Sequence, residues 1–295
     1  VSPLNRTFKG WLELIRPPNL FTVPGDPLAG FILAGGGGNG NFMPAALAAL
    51  AACLLYMAGL IWNDCADARE DSRTRPGRPI PSGRVRRGHA LAVAAVMAAG
   101  AVALAWRATP AAGWTALLLT GLILAYNFAA RRHLVTGVIT MGLCRGASVL
   151  LGAAAASSGL PGNSTPWLAA GGITLYIIGV SVLAHGETHR QRLGIKPWLP
   201  AGAAALLFVM VGRANAYSAG LAAVALAWLM LRALALRGEP EPADVQRAIG
   251  CVIRTLLLLQ AGLCALVPET GLVPAMILLA AWPLAALTGR WFYGS

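Results

Sequence analysis

Long apolar runs separated by short polar stretches give this chain its period. Ten runs reach or approach the ~20 mostly apolar residues that an α-helix needs to cross a hydrocarbon core. They cover 18–35, 43–64, 88–106, 111–129, 134–156, 166–187, 198–212, 215–236, 245–267 and 272–289. The seventh is short, and the ninth carries Arg254 and Gln260. In the first, Asp26 stands between Gly25 and Pro27, where it can cap a broken helix or, with Asn19, line an interior cavity. Gly35 to Asn41 and residues 157–165 read as charge-free turns. The remaining connections are too short to fold alone. Residues 1–295 are therefore expected to form one integral membrane domain, an all-α bundle of nine or ten transmembrane helices around a central cavity.

Composition agrees with the pattern. Hydrophobic residues make up 57% of the chain and charged residues 12%, half the share usual in soluble domains. The net charge of +12 raises nucleic acid as a partner, but the cations lie in short loops between apolar runs, so none is expected. Arg107 and Arg213 fall on one side of the bundle and Arg145 and Arg254 within spans, while every other Lys and Arg falls on the opposite side. That asymmetry predicts a multi-pass protein of a bacterial-type inner membrane with cytoplasmic termini. Pro17, Pro18, Pro24 and Pro27 interrupt the first apolar run, so it is expected to persist in the mature protein rather than act as a cleaved signal. Five scattered cysteines have neither metal-ligand nor disulfide-framework spacing; most read as small buried hydrophobes, with thiol chemistry at Cys65, inside the acidic stretch, as the alternative.

The chemistry is concentrated where the second run ends. Asp64, Asp67 and Asp71 are three and four residues apart and stack on one helix face. Like charges so placed repel, and a cation between them relieves the repulsion. Mg²⁺ suits the place, since it takes one or two carboxylates and fills its shell with water and phosphate oxygens. Arg69, Arg73, Arg75, Arg78, Arg84, Arg86 and Arg87 follow, a dense set of guanidinium groups suited to phosphate. Carboxylates and arginines together at a membrane surface suggest a metal-bridged diphosphate. The active-site loops then face the cytoplasm.

Asn63, Asp64, Asp67 and Asp71, followed by Arg78-Pro79-Ile80-Pro81-Ser82-Gly83, resemble the first aspartate-rich motif of the UbiA superfamily of intramembrane prenyltransferases. Arg16-Pro17 and Tyr126-Asn127-Phe128 with Arg131 and Arg132 extend the likeness, which runs from Arg16 to about residue 266. Nine helices would match the superfamily, leaving 272–289 as an addition. The resemblance implies transfer of a prenyl group from an isoprenyl diphosphate to an aromatic or other lipophilic acceptor, in contact with membrane lipid. Mg²⁺ would be held by Asn63, Asp64, Asp67 and Asp71, and the diphosphate contacted by Asn63, Arg78, Arg131, Lys196, Arg145, Arg190 and Tyr126.

The second aspartate-rich motif is altered. Many members read D-x-E-G-D-R-x-x-G-I-K; this chain has His185, Glu187, His189 and Arg190 in the order of the first part, and Gly194, Ile195 and Lys196 follow one residue later than the pattern places them. Two carboxylates have become imidazoles, which are softer ligands, neutral or cationic near neutral pH. Three explanations compete: a one-metal enzyme with Glu187 acting on metal or as base, a different metal, or loss of transfer chemistry with the lipid-binding fold kept. The altered motif and Arg145-Gly146 are similar to a divergent branch of the superfamily encoded in bacterial ebo-type gene clusters. That likeness implies the alternative reading, a lipid- or precursor-binding or transport protein without transferase activity. Arg145, midway along the fifth run, must be paired or hydrated to be tolerated there, through a carbonyl, a buried carboxylate or a phosphate.

Overall fold

The computed structural model describes residues 3–157, 159, 161–185, 192–212 and 214–292. Among them are twelve α-helices and no strand: α1 (Pro3–Ile15), α2 (Pro17–Leu20), α3 (Gly25–Leu33), α4 (Met43–Thr74), α5 (Arg87–Ala108), α6 (Pro110–Phe128), α7 (Leu134–Ala156), α8 (Thr165–Ala184), α9 (Leu199–Val211), α10 (Ala216–Ala235), α11 (Pro242–Cys264) and α12 (Pro268–Phe292). Eight of these are long and apolar enough to cross a membrane. The other two expected spans are helical but short. Residues 18–35 divide into α2 and α3 around a turn at 21–24, where Pro24 and Pro27 withhold backbone donors. Residues 198–212 form α9, preceded by a 3₁₀ turn (Lys196–Trp198) and stopped at Gly212, whose φ is 65°.

Successive long helices pack as neighbours, and the chain closes on itself because α3 lies against α4, α7 and α11. α3 and α7 approach each other closely. A Cβ on Gly30 would sit 1.9 Å from the Val149 carbonyl oxygen, and one on Gly152 would sit 1.7 Å from that of Pro27. Small residues replace hydrophobic burial as the organising device inside a bilayer, because lipid is as apolar as leucine. Gly152→Val is therefore expected to force the two helices apart at a cost of about 1–3 kcal/mol. A fall in the thermal midpoint of the protein in nanodiscs checks this; an unchanged midpoint would mean that the contact is not needed.

Two features position the site. The first is the length of α4, about 48 Å at the helical rise, against a hydrocarbon core of about 30 Å. Its apolar part ends near Trp62, so the last three turns, with all three aspartates of the motif, project beyond the spanning portion. The second is α1, absent from the expected elements because its pattern is amphipathic rather than continuously apolar. Leu14 on its inner face is fully buried, while Arg6, Phe8 and Lys9 are exposed. It packs against α4 beside the aspartates.

Candidate active site

Arginines from three separate segments converge on the projecting end of α4. Arg16 joins α1 to α2 and adopts the left-handed conformation, φ 46° and ψ 66°. That geometry costs a non-glycine residue about 1–2 kcal/mol. It turns the guanidinium toward α4, where Nη2 lies 3.1 Å from Asp64 Oδ1. Arg78 comes from the loop after α4, and its Nη1 is 2.9 Å from Asp71 Oδ2 and 3.7 Å from Asp64 Oδ1. Arg131 sits on a 3₁₀ turn (Ala130–Arg132) after α6, pairs with Asp67 and donates to Asn63 Oδ1 at 3.1 Å. Asn63 in turn donates from Nδ2 to Asp67 Oδ2 at 3.1 Å.

The Arg78–Gly83 loop has local reasons for its shape. Gly83 has φ 74°, the left-handed region that favours glycine, and its N–H donates to the Ile80 carbonyl. Arg84 ties this loop to α1, donating to both carboxylate oxygens of Glu13 at 2.9 and 2.7 Å and to the Gly77 carbonyl at 2.7 Å. The Glu13 hydrogen bond raises the Arg84 pKa above its ordinary value.

Below this mouth lies a cavity of about 380 Å³. Asn63, Tyr126 and Arg16 line its upper part, and Leu55, Ile177 and Leu256 are among its apolar walls. Arg145 also lines it, but its charge is engaged deep in the bundle. Nε is 2.7 Å from Oδ2 of the fully buried Asp26, and Nη2 donates to the Thr22 carbonyl at 2.9 Å. Gln260 of α11 completes the cluster, donating to the same carbonyl at 2.8 Å and to Asp26 Oδ1 at 2.6 Å. The break between α2 and α3 exposes the Thr22 carbonyl, and side chains from α7 and α11 satisfy it. Of the roles open to Arg145, the geometry displays pairing with a carboxylate and a carbonyl.

The site residues named from sequence thus separate into groups. Asn63, Asp64, Asp67, Asp71, Arg78 and Arg131 form one cluster, with Tyr126 on the cavity wall beside it. Lys196 opens the 3₁₀ turn before α9 and makes no ion pair with a described residue. Glu187, His189 and Arg190 lie outside the described residues, and His185 is exposed at the end of α8. Arg16 was noted only as part of a resemblance, and nothing in the sequence marks it as a partner of Asp64. Gln260 could have been found by asking which side chain answers the backbone freed by the prolines.

Among the described residues, no three His, Cys, Asp or Glu side chains cluster as a metal nest. A smaller oxygen set is present. Asp64 and Asp71 both address Arg78 Nη1, so the two carboxylates share a point that a hard cation can take, and Asn63 with Asp67 offers a second pair of oxygens. Both sets fit Mg²⁺, which needs only one or two carboxylates when phosphate and water supply the rest.

Comparison with known proteins bears on this geometry. Over 144 residues the chain is 28% identical to digeranylgeranylglyceryl phosphate synthase of Methanoculleus marisnigri, covering 49% of this chain and 50% of that one. Over 163 residues it is 32% identical to protoheme IX farnesyltransferase of Acidiphilium cryptum, covering 53% of this chain and 50% of that one. The chain spans about half the length of these curated relatives. The structure of a UbiA homolog from Archaeoglobus fulgidus bound to GPP and Mg²⁺ superposes with a TM-score of 0.60 at 14% identity, over 88% of this chain and 99% of that one. That likeness establishes a shared fold. The family model of the UbiA prenyltransferases matches residues 27–253, from within α3 to within α11 and across the three aspartates of the motif, and the chain belongs to that family.

Proposed function

We propose that the chain is an intramembrane prenyltransferase, moving a prenyl group from an isoprenyl diphosphate to an aromatic or other lipophilic acceptor with Mg²⁺ bound. Residues 1–295 act as one domain of a bacterial-type inner membrane, with the termini and the aspartate-rich mouth cytoplasmic. One observation carries this reading: Arg16, Arg78 and Arg131 meet Asp64, Asp67 and Asp71 at the mouth of an apolar cavity. Asp64 and Asp71 are buried against partly exposed arginines, and the cost of desolvating such charges offsets much of their attraction, so the cluster is better explained by recognition than by stability. The related structure that holds GPP and Mg²⁺ supports the choice of ligands.

The residues divide the work. Arg78 and Arg131, with Arg16 beside them, take the diphosphate oxygens and stabilise the charge that grows as the bond from C1 to oxygen breaks and its electron pair leaves with the diphosphate. Asn63, Asp64, Asp67 and Asp71 would hold Mg²⁺, which supplies further neutralisation of the leaving group when bound. The apolar walls keep water from the allylic carbon while the acceptor's nucleophilic atom attacks C1. The acceptor then gives up a proton, and Glu187 is the assigned base. Lys196 and Arg190 complete the diphosphate contacts in this scheme, and Tyr126 lines the path between mouth and cavity.

The decisive measurement is diphosphate release from purified protein in nanodiscs, offered isoprenyl diphosphates and a pool of aromatic and lipophilic acceptors, with and without Mg²⁺. Release that needs both Mg²⁺ and acceptor is expected. Binding of the diphosphate without release would move the assignment to a lipid- or precursor-binding carrier, for which the histidines at 185 and 189 are the motivating residues.

A further inference from the structure

The outer face of α11 carries an arginine that the mouth does not use. Arg254 shares that face with Arg247, Gly250 and Cys251, at the three- and four-residue steps of a helix, and lies about 100° round the helix from Ile253, which lines the cavity. α11 packs between α10 and α12. Its first turns lie on the mouth side, because Leu236 and Val245, flanking the α10–α11 connection, cluster with Leu183 near the end of α8, the helix that returns to the mouth side after α7 leaves it. Farther in, Leu258 and Ala261 on the same face are buried, and Trp228 of α10 meets Trp282 of α12 edge-on, with ring centres 6.0 Å apart. The face is thus a groove, shut at depth and open toward the mouth side. Gly250 is its floor, where an added Cβ would face Arg254 Nη1 at 3.8 Å.

Two guanidinium groups turn toward this floor from opposite directions. Arg254 reaches back along α11, with Nη1 toward Gly250 and Nη2 3.2 Å from Cys251 Sγ, a weak acceptor. Arg232 stands one turn nearer the surface than Trp228, yet it folds inward instead of snorkelling to water, its guanidinium carbon 4.5 Å from the Trp228 ring centre. Among the described residues neither arginine has a carboxylate partner. A guanidinium within a span calls for one, or for another anion. Arg232 Nε and Trp228 Nε1 are, in addition, buried donors without an acceptor among the described residues. Everything polar here donates, so the complementary ligand is an anion rich in acceptor oxygens.

We propose that the groove on α11 between α10 and α12 binds the headgroup of an anionic phospholipid from the mouth-side leaflet, its phosphate held by Arg232, Arg254 and the indole N–H of Trp228. Depth and flanks select a lipid. Arg247, exposed and paired with Asp244, marks the aqueous end, and Gly250 lies about 4–5 Å below it, within the polar layer of roughly 5–8 Å on each side of a bilayer. Met230 and Leu234 of α10 and Leu284 and Leu287 of α12 are exposed apolar side chains beside the groove, suited to acyl chains. A zwitterionic lipid would bring its own ammonium group against two guanidinium groups, so the net charge of the headgroup decides the choice. The assignment does not depend on the transferase reading of the mouth.

Native mass spectrometry of the full chain in detergent, titrated with phosphatidylglycerol or with phosphatidylcholine of the same acyl chains, tests the assignment. The first phosphatidylglycerol is expected to bind at least about ten-fold more tightly, the scale set by two cations near anionic lipid. The double substitution Arg232→Gln with Arg254→Gln should bring the ratio close to one. Gly250→Leu, which fills the floor and leaves both charges in place, should also reduce it, and decides alone if the double variant does not fold. Equal affinities in the wild type, or a preference that survives in the folded variants, would overturn the assignment. Displacement of the lipid by inorganic phosphate as readily as by more phosphatidylglycerol would overturn it too, giving the groove to a soluble anion.

Discussion

Asp67→Ala is expected to cut Mg²⁺-dependent diphosphate release by roughly 10²–10³-fold, the scale on which loss of one aligned charge-stabilising group is felt in a transition state. The substitution removes the carboxylate that holds Asn63 and Arg131 in place, so it disturbs both a metal oxygen and a diphosphate contact. The fold should survive it. Arg131 is partly exposed and can hydrate once its partner is gone, and α4 is already past its apolar section at this position. Helicity and thermal midpoint close to wild type, together with lost release, are the expected pair of results. Release at the wild-type rate would show that the cluster is not where the diphosphate reacts.

The opposite pattern is expected deeper in the bundle. Arg145→Ala leaves Asp26 fully buried without its cation, and breaking a buried pair from one side costs about 3–5 kcal/mol. The loss should appear as a lower midpoint in thermal or detergent unfolding. The double substitution Asp26→Asn with Arg145→Met should recover much of it, because the stranded charge is then gone and Gln260 can still donate to the Thr22 carbonyl. A single Arg145 variant of wild-type stability that no longer binds diphosphate would reverse the assignment and make Arg145 a phosphate ligand.

The two clusters also show what a sequence can and cannot convey. The alignment of Asp64, Asp67 and Asp71 on one face was legible because a helix has a fixed period, and so was their position at the end of an apolar run. The partners were not. Arg16, Arg78 and Arg131 reach these carboxylates from different segments, and choosing them from so many cations in polar loops requires knowing which segments fold together. Arg145 announced only that it needed a partner; Asp26 was marked as a cap or a cavity residue, and the bundle joins the two. The helix break was foreshadowed by its prolines, but the carbonyl it leaves open, and Gln260 answering it, depend on α3 lying against α11. The amphipathic α1 escaped notice because a search for continuous apolar runs passes over a surface helix. Residues 186–191, where the second motif departs from the family, lie outside the described residues, so Glu187 keeps only its assigned role.

The junction of α2 and α3 also bears on how the protein is made. The first span is too broken to satisfy its own backbone, and the groups that complete it belong to α7 and α11, synthesised much later. A nascent chain therefore emerges with the backbone of this segment unfinished until Gln260 arrives. Truncations that stop before α11 should leave that segment accessible to protease, or to a thiol label at the substitution Thr22→Cys, and the full chain should protect it. Biogenesis of this bundle thus completes an earlier span with groups made later.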